Sequence, residues 1–114
     1  MGNETPKKNY RKKMKYKIVA VFKLQSDKAD EEIERCKSAD SLLNTLKTFP
    51  GFISYEVVRI NDDSTMTIQT WETKAHFLTA MPEAMGIHSA KNVTRENLVV
   101  SHQGYSGEVV LQSE

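Results

Sequence analysis

The sequence has little of what cross-links a small protein or anchors it in a membrane. One of its 114 residues is a cysteine, Cys36, so an internal disulfide bond is excluded, and the spacing of a zinc site is missing. No apolar run approaches the roughly 20 residues that cross a bilayer, and the polar, basic residues 1–17 lack the apolar core of a signal peptide. These absences favour a cytoplasmic protein with no membrane partner, and they predict a site without metal.

The net charge of +1 conceals an uneven distribution of charge along the chain. Residues 1–17 contain seven basic side chains and one acid, Glu4, whereas the rest of the chain is acidic overall. We interpret residues 1–14 as a basic extension that is expected to be disordered, and residues 15–112 as one domain of common size. The acidic body argues against nucleic acid as a partner, because proteins that bind nucleic acid present basic surfaces to the phosphates.

Hydrophobic periodicity predicts six elements in the order β-α-β-β-α-β. Turn-forming residues such as Pro50-Gly51 separate them. Pro82 is expected to interrupt the second helix and start another. The C-terminal segment is expected to form one last strand or a strand pair, bent near Gly104 and Gly107. The predicted strands are residues 16–25, 52–60, 65–72 and 97–111, and the predicted helices are residues 26–49 and the segment from Thr73.

Residues 26–49 carry one apolar stripe at helical spacing. Ser26 or Asp27 is expected to cap this helix, and acids in the first turns suit the positive end of the helix dipole. Cys36 lies on the stripe and is interpreted as an inert core thiol. The stripe comprises Ala29, Ile33, Cys36, Ala39 or Asp40, Leu43 and Leu46, and the acids interpreted as a solvated face are Asp30, Glu31, Glu32 and Glu34.

The predicted strands are apolar on both faces. On the first strand, one face carries Ile18, Ala20, Phe22 and Leu24, and the other carries Val19 and Val21. On the second strand, one face carries Phe52, Val58 and Ile60, and the other carries Ile53, Tyr55 and Val57. The element order is that of an α+β, ferredoxin-like fold, an antiparallel four-stranded sheet with the helices on one face. Because the second face would expose apolar side chains, we expect two copies to pack sheet to sheet as a homodimer.

Two neighbouring segments, PGFISYEV and TIQTWETKAHF, resemble the antibiotic biosynthesis monooxygenase (ABM) domain. In that family a strand that begins with PG and a strand that ends with W-E precede the second helix. The resemblance covers residues 17 to about 103 and implies a dimeric α+β barrel, which agrees with the pattern. It also implies a pocket between the sheet and its two helices, lined by Trp71 and Tyr55.

The activities that the resemblance implies are varied. They include cofactor-independent oxygenation of aromatic polyketides, quinone-related oxidation and, in one branch, haem degradation. That branch uses an asparagine on the first strand and a histidine on the second helix, together with the tryptophan. Here the first strand has no asparagine, and His88, the nearest candidate for an axial ligand, lies about two residues too close to Trp71. Haem degradation therefore ranks below the other activities.

Five residues are candidates for the site. Trp71 shares a strand face with Gln69 and Thr67, and we interpret all three as substrate-binding, because a large ring beside polar groups suits a flat, partly polar ligand. Tyr55 and His88 are candidate catalytic residues, the first as a hydrogen-bond donor and the second as the base that removes a phenolic proton. The alternative is that each packs in the core or lies at the surface. Of the other histidines, we expect His76 to lie at the surface and His102 to be structural.

The leading hypothesis is a monooxygenase that acts on a small aromatic or quinone-like substrate with O2 and without metal, flavin or other cofactor. The alternative is a non-catalytic module that binds a small molecule or regulates another protein, since a fold does not determine a function. An oxygenase needs a proton acceptor and a proton donor in one pocket, and His88 and Tyr55 are the available pair. A protein that binds or degrades haem ranks below both.

Overall fold

A computed structural model describes residues 14–38, 41–90 and 98–113, without the side chains of residues 88–90. The predicted extension at residues 1–14 and the predicted start of the last strand at residue 97 lie almost wholly outside these ranges. The described chain forms four strands and three helices, which are β1 (Tyr16–Leu24), α1 (Ala29–Cys36), α2 (Leu42–Leu46), β2 (Phe52–Asn61), β3 (Ser64–Trp71), α3 (Lys74–Ala90) and β4 (Val99–Glu108).

The four strands form one sheet in the order β2-β3-β1-β4, and every pair of neighbours is antiparallel. β2 and β3 form an antiparallel hairpin, joined at Asp62-Asp63. The helices cover one face of the sheet, where α1 packs on β2 and β3 and α3 packs on α2 and β3. The predicted α+β, ferredoxin-like architecture is therefore confirmed.

The core lies between the helices and the sheet face that they cover. One cluster of buried residues joins Tyr16 and Trp71, at one end of the sheet, to helix residues Leu46, Ala80 and Ala84. A second cluster, at the other end, consists of Phe22, Leu24 and Ala29. Side chains alternate between the two faces along a strand. Tyr16, Phe22 and Leu24 of β1 therefore lie on the same face and are buried in this core.

The first helix differs from its prediction. Residues 26–49 form two helices, α1 and α2, instead of one. Asp27 has a positive φ of 62°, and its N–H donates to Oδ1 of Asp63, so no helix begins there, and α1 lacks a side-chain cap. Ser41 accepts a hydrogen bond from the N–H of Asn44 at 3.3 Å and caps α2. A serine within a helical pattern competes for backbone donors in this way and starts a new helix.

A β-bulge changes the predicted faces of β2. Phe52 pairs with Trp71 and Ser54 pairs with Thr70, so Ile53 is an extra residue between them. The prediction that Phe52 and Tyr55 lie on opposite faces is wrong, because both pack against the core cluster of Trp71. One inserted residue reverses the alternation on its N-terminal side.

Two further predictions about breaks in the pattern are wrong. β4 pairs with β1 in continuous register through Gly104 and Gly107, and its register shifts instead opposite Leu24. α3 continues through Pro82. Pro82 has no backbone N–H to donate to the carbonyl of Leu78. Both residues are exposed, so water can donate to this carbonyl instead.

None of the helices in the described ranges is long and apolar enough to cross a membrane. The cytoplasmic location stays a prediction.

Candidate functional site

The helix-covered face of β3 carries a row of buried polar side chains that ends in Trp71. We call Thr65, Thr67, Gln69 and Trp71 the polar band. Their exposed fractions are 0%, 4%, 7% and 0%, respectively. Side chains of a strand point alternately to its two faces, so these four lie in line. The sequence predicted three of the band's members as ligand contacts, and the structure places those three side by side.

Trp71 and Gln69 form a hydrogen-bonded pair inside the protein. The indole Nε1–H donates to Oε1 of Gln69 at 2.9 Å. The ring is held edge to face by Phe52, at a centroid distance of 5.5 Å, and by Phe77, at 6.1 Å. Edge-to-face packing of this kind stabilises aromatic pairs. Trp71 is therefore a fixed ring in contact with both layers of the fold.

The structure describes the side chain of only one of the two candidate catalytic residues, Tyr55. Tyr55 is half-buried on β2, opposite Gln69, and packs against the cluster of Trp71. This position places Tyr55 beside the polar band. His88 lies in the C-terminal part of α3, and its side chain falls outside the described residues. The assignment of His88 as a base stays a prediction.

An ion pair that sequence reasoning missed lies beneath α1. Glu32 is 1% exposed and accepts from Nε of Arg35 at 2.8 Å and from its Nη2 at 3.0 Å. The prediction that Glu32 belongs to a solvated face is wrong. Ala29, Glu32 and Cys36 follow each other at helical spacing, and all three are buried. The signal available in the sequence was this spacing together with a basic residue three positions after Glu32.

The hydrogen bonds to Glu32 raise the pKa of the Arg35 guanidinium, against the burial that lowers it. Electrostatic interactions with Cys36 and Tyr55 raise the pKa of this guanidinium further. The thiol of Cys36 lies beside the pair, with its Sγ 3.9 Å from Oε2 of Glu32 and 3.9 Å from Nη2 of Arg35. A guanidinium is protonated at ordinary pH, so Arg35 carries a positive charge.

A cavity of about 240 Å³ opens between the end of α2 and the first half of α3, and it is lined by Phe49, Pro50, Ala75, His76, Thr79 and Ala80. Two of these residues, Phe49 and Ala80, also pack in the cluster of Trp71. The cavity therefore lies on the outer side of that cluster. Its volume is below the 300–1,000 Å³ that is usual for ligand pockets.

His76 is half-buried in this wall, not simply at the surface as predicted. Its Nδ1 is 2.8 Å from the hydroxyl of Thr73, which also accepts the backbone N–H of His76 at 3.2 Å. The ring lies directly against Gly51, where a Cβ atom would collide with it. His102 stacks on Phe22 at a centroid distance of 5.8 Å, as expected of a structural residue.

The described ranges contain no group of three or more His, Cys, Asp and Glu side chains arranged to hold a metal ion. The expectation of a site without metal or cofactor stays a prediction.

Comparison with known proteins gives a family and a fold. A family model described as antibiotic biosynthesis monooxygenase matches residues 15–81. No curated protein matches the chain at a significant level. SnoaB, a cofactor-independent oxygenase from Streptomyces nogalater whose mutant structure was solved, is 17% identical, with a TM-score of 0.62 over 86% of this chain and 95% of that one.

Two other solved structures are similar at lower sequence identity. A dimeric ferredoxin-like protein from an uncultured marine organism is 13% identical, with a TM-score of 0.65 over 91% of this chain and 95% of that one. NE2512, a protein of unknown function from Nitrosomonas europaea, is 10% identical, with a TM-score of 0.66 over 90% of this chain and 96% of that one. At these identities the likeness establishes the fold alone.

Proposed function

The chain belongs to the antibiotic biosynthesis monooxygenase family, and from that premise we propose that it binds a flat aromatic or quinone-like molecule at the polar band and oxygenates it with O2, without metal or flavin. The observation that carries this proposal is the polar band itself. Hydroxyl and amide groups add little to the stability of a core, because their burial costs free energy unless partners compensate. A row of such groups beside a tryptophan instead suits a flat ligand with a few polar atoms.

The contacts of the band suggest how a ligand would be recognised. An oxygen atom of the ligand would compete with Gln69 for the indole N–H of Trp71, and the ring system would stack against the aromatic cluster. Tyr55, opposite Gln69 in the sheet, is proposed as a second donor to the substrate. His88 is proposed as the base that takes the proton from the substrate before it reacts with O2.

The cavity beside Phe49 and Ala80 is proposed as the approach to this site. Both residues line the cavity and contact the Trp71 cluster. A ligand with one ring fits within about 240 Å³, whereas a larger ring system has to displace part of the wall. Phe49 lies in the short connection between α2 and β2, where a side chain moves at lower cost than within a helix.

We also propose that the active form is a homodimer that buries the uncovered face of the sheet. We call Val19, Val21, Val58, Met66 and Ile68 the far face; the register pairs Val19 with Ile68 and Met66 with both Val21 and Val58. All five of these side chains are only half-buried. A similar solved structure is that of a dimeric ferredoxin-like protein, and an apolar sheet of this size favours the same arrangement.

The direct test of oxygenation uses anthrone, a three-ring ketone with an acidic CH2 group. The reaction of anthrone (C14H10O) with O2 gives anthraquinone (C14H8O2) and water, so that one oxygen atom of O2 enters the product. We expect product that carries ¹⁸O when ¹⁸O2 is supplied, at a rate that dialysis against a chelator leaves unchanged. Trp71→Phe should lower kcat/KM about tenfold, while Leu78→Ala, at an exposed position of α3, should not change it.

The same assay separates an enzyme from a binding module. Saturable binding of anthrone with no anthraquinone above the rate without protein would contradict the oxygenase and support the non-catalytic module.

A further inference from the structure

The cavity between α2 and α3 has two polar side chains in an otherwise apolar lining. The side chains of His76 and Thr79 lie one helical turn apart, so they are neighbours on the surface of α3. The apolar lining consists of Phe49, Pro50, Ala75 and Ala80. A mostly apolar lining with a few placed polar groups is typical of sites for small molecules.

The imidazole ring of His76 is held on two sides. Its Nδ1 is 2.8 Å from the hydroxyl of Thr73. A Cβ atom on Gly51 would meet Cβ, Cγ and Cδ2 of His76, so the backbone of this turn lies against the ring. The carbonyl of Gly51 accepts the N–H of Glu72 at 2.8 Å, which ties the turn to the end of β3. These contacts fix the ring and leave its Nε2 and Cε1 edge for the cavity.

The contacts of Thr73 indicate which nitrogen of His76 carries the proton. Oγ1 of Thr73 accepts the backbone N–H of His76 at 3.2 Å, so its own O–H is free to donate to Nδ1. An Nδ1 that accepts a hydrogen bond leaves the ring proton on Nε2. Among the residues that the structure describes, Nε2 has no hydrogen-bond partner. His76 therefore provides a fixed N–H donor to a ligand in the cavity.

The size and the charge of the cavity restrict the ligand. A dry cavity of about 150 Å³ in another protein binds benzene, so about 240 Å³ holds one substituted ring. None of the six lining residues is an Asp, Glu, Lys or Arg. A charged ligand would lose water there without gaining a counter-ion, which is costly. A neutral molecule with one ring fits both restrictions.

We propose that this cavity is a binding site for a neutral phenol with one ring. The phenolic oxygen accepts from Nε2–H of His76, the phenolic O–H donates to Oγ1 of Thr79, and the ring packs against Phe49 and Pro50. His76 is the specificity-determining residue of this site. The site lies on the outer side of the Trp71 cluster, and the proposal does not depend on oxygenation or on binding at the polar band.

Three compounds of similar shape test the proposal. 4-Methylphenol has the hydroxyl group, toluene lacks it, and 4-methylbenzoate carries an anion. NMR titration of the ¹⁵N-labelled protein at pH 8 follows the backbone amides of Ala75 and Thr79. We expect 4-methylphenol to shift both amides in a saturable manner. Toluene and 4-methylbenzoate should bind about tenfold more weakly, since one lost hydrogen bond accounts for a factor of up to about ten.

Substitution of His76 tests its role as the donor. His76→Phe keeps a ring in the wall and removes Nε2–H, so 4-methylphenol should bind no more tightly than toluene, whose affinity should change by less than twofold. His102→Phe is the matched control, because His102 stacks on Phe22 at the other end of the sheet, and it should keep the full preference. Should His76→Phe fail to fold, Thr79→Val removes the second partner at an exposed position and should weaken 4-methylphenol about threefold without affecting toluene.

Four results would overturn the proposal. Equal affinities for 4-methylphenol and toluene would mean that His76 recognises nothing, and tighter binding of 4-methylbenzoate would mean that the cavity prefers anions. If 4-methylphenol shifts the Trp71 indole and the amide of Gln69 but not those of Ala75 and Thr79, it binds at the polar band, which would support the proposed function instead. If none of the compounds binds, the proposal fails, while binding of anthrone at the polar band is tested separately.

Discussion

At Trp71, packing and hydrogen bonding act on the same side chain. The ring contacts Phe52 and Phe77, and its N–H is directed to the amide oxygen of Gln69. A tryptophan that only fills space needs one acceptor, and a backbone carbonyl would supply it. Here the acceptor is a side chain that is itself buried.

The first prediction concerns this pair. Trp71→Phe should lower the free energy of unfolding by about 1 kcal/mol, because it keeps most of the ring volume and removes the hydrogen bond. Gln69→Met should cost a similar amount. Since both substitutions remove the same bond, the double variant should be more stable than the sum of the two by about 1 kcal/mol, measured by urea denaturation. Strictly additive losses would show that the hydrogen bond contributes nothing.

The burial of Glu32 could not be predicted from its residue type. An acid in the first turns of a helix is normally solvated and interacts with the helix dipole, and its neighbours Glu31 and Glu34 do lie at the surface. The position of Glu32 relative to Ala29 and Cys36 decides its burial. The bidentate contact with Arg35 makes that burial tolerable. Residue type alone does not reveal such a pair.

Among the elements, the strands follow the sequence pattern more closely than the helices do. Alternation with a period of two depends only on which side chains face the core, and it predicted β1 and β3 within one residue at each end. The break between α1 and α2 depends on the hydrogen bond from Asn44 to Ser41, and the face of Phe52 depends on a bulge. Hydrophobic periodicity predicts neither the cap at Ser41 nor the bulge in β2.

The turn before β2 provides the prediction at the scale of elements. Gly51 has a φ of 85° and lies against the imidazole ring of His76. Gly51→Ala should destabilise the protein by about 2 kcal/mol or more, from the left-handed conformation, which costs about 1–2 kcal/mol, and from the displaced ring. In a His76→Ala background the same change should cost only about 1 kcal/mol, as measured by thermal or urea denaturation. Equal losses of stability in both backgrounds would mean that the ring of His76 moves aside without a cost in free energy.

For the whole molecule, the far face is the feature that the single chain leaves unexplained. A stable dimer buries about 1,200–2,000 Å² in total, and the far face offers an apolar surface on three neighbouring strands, β2, β3 and β1. Val19→Lys should shift the protein from dimer to monomer in sedimentation at micromolar concentration. Leu78→Lys, which places the same charge at an exposed site on α3, should leave the dimer intact. A wild-type monomer of 13.0 kDa would contradict the proposed assembly.

The measurement that tests the central claim most directly is an NMR titration of the ¹⁵N-labelled protein with 9-fluorenone. Trp71 is the only tryptophan, so one indole N–H resonance reports on the buried end of the polar band. We predict that this resonance shifts in a saturable manner together with the backbone amides of Thr67 and Gln69. Saturable binding that shifts only resonances of the far face or of the His76 cavity, and leaves the indole resonance in place, would contradict the claim that the polar band is the ligand site.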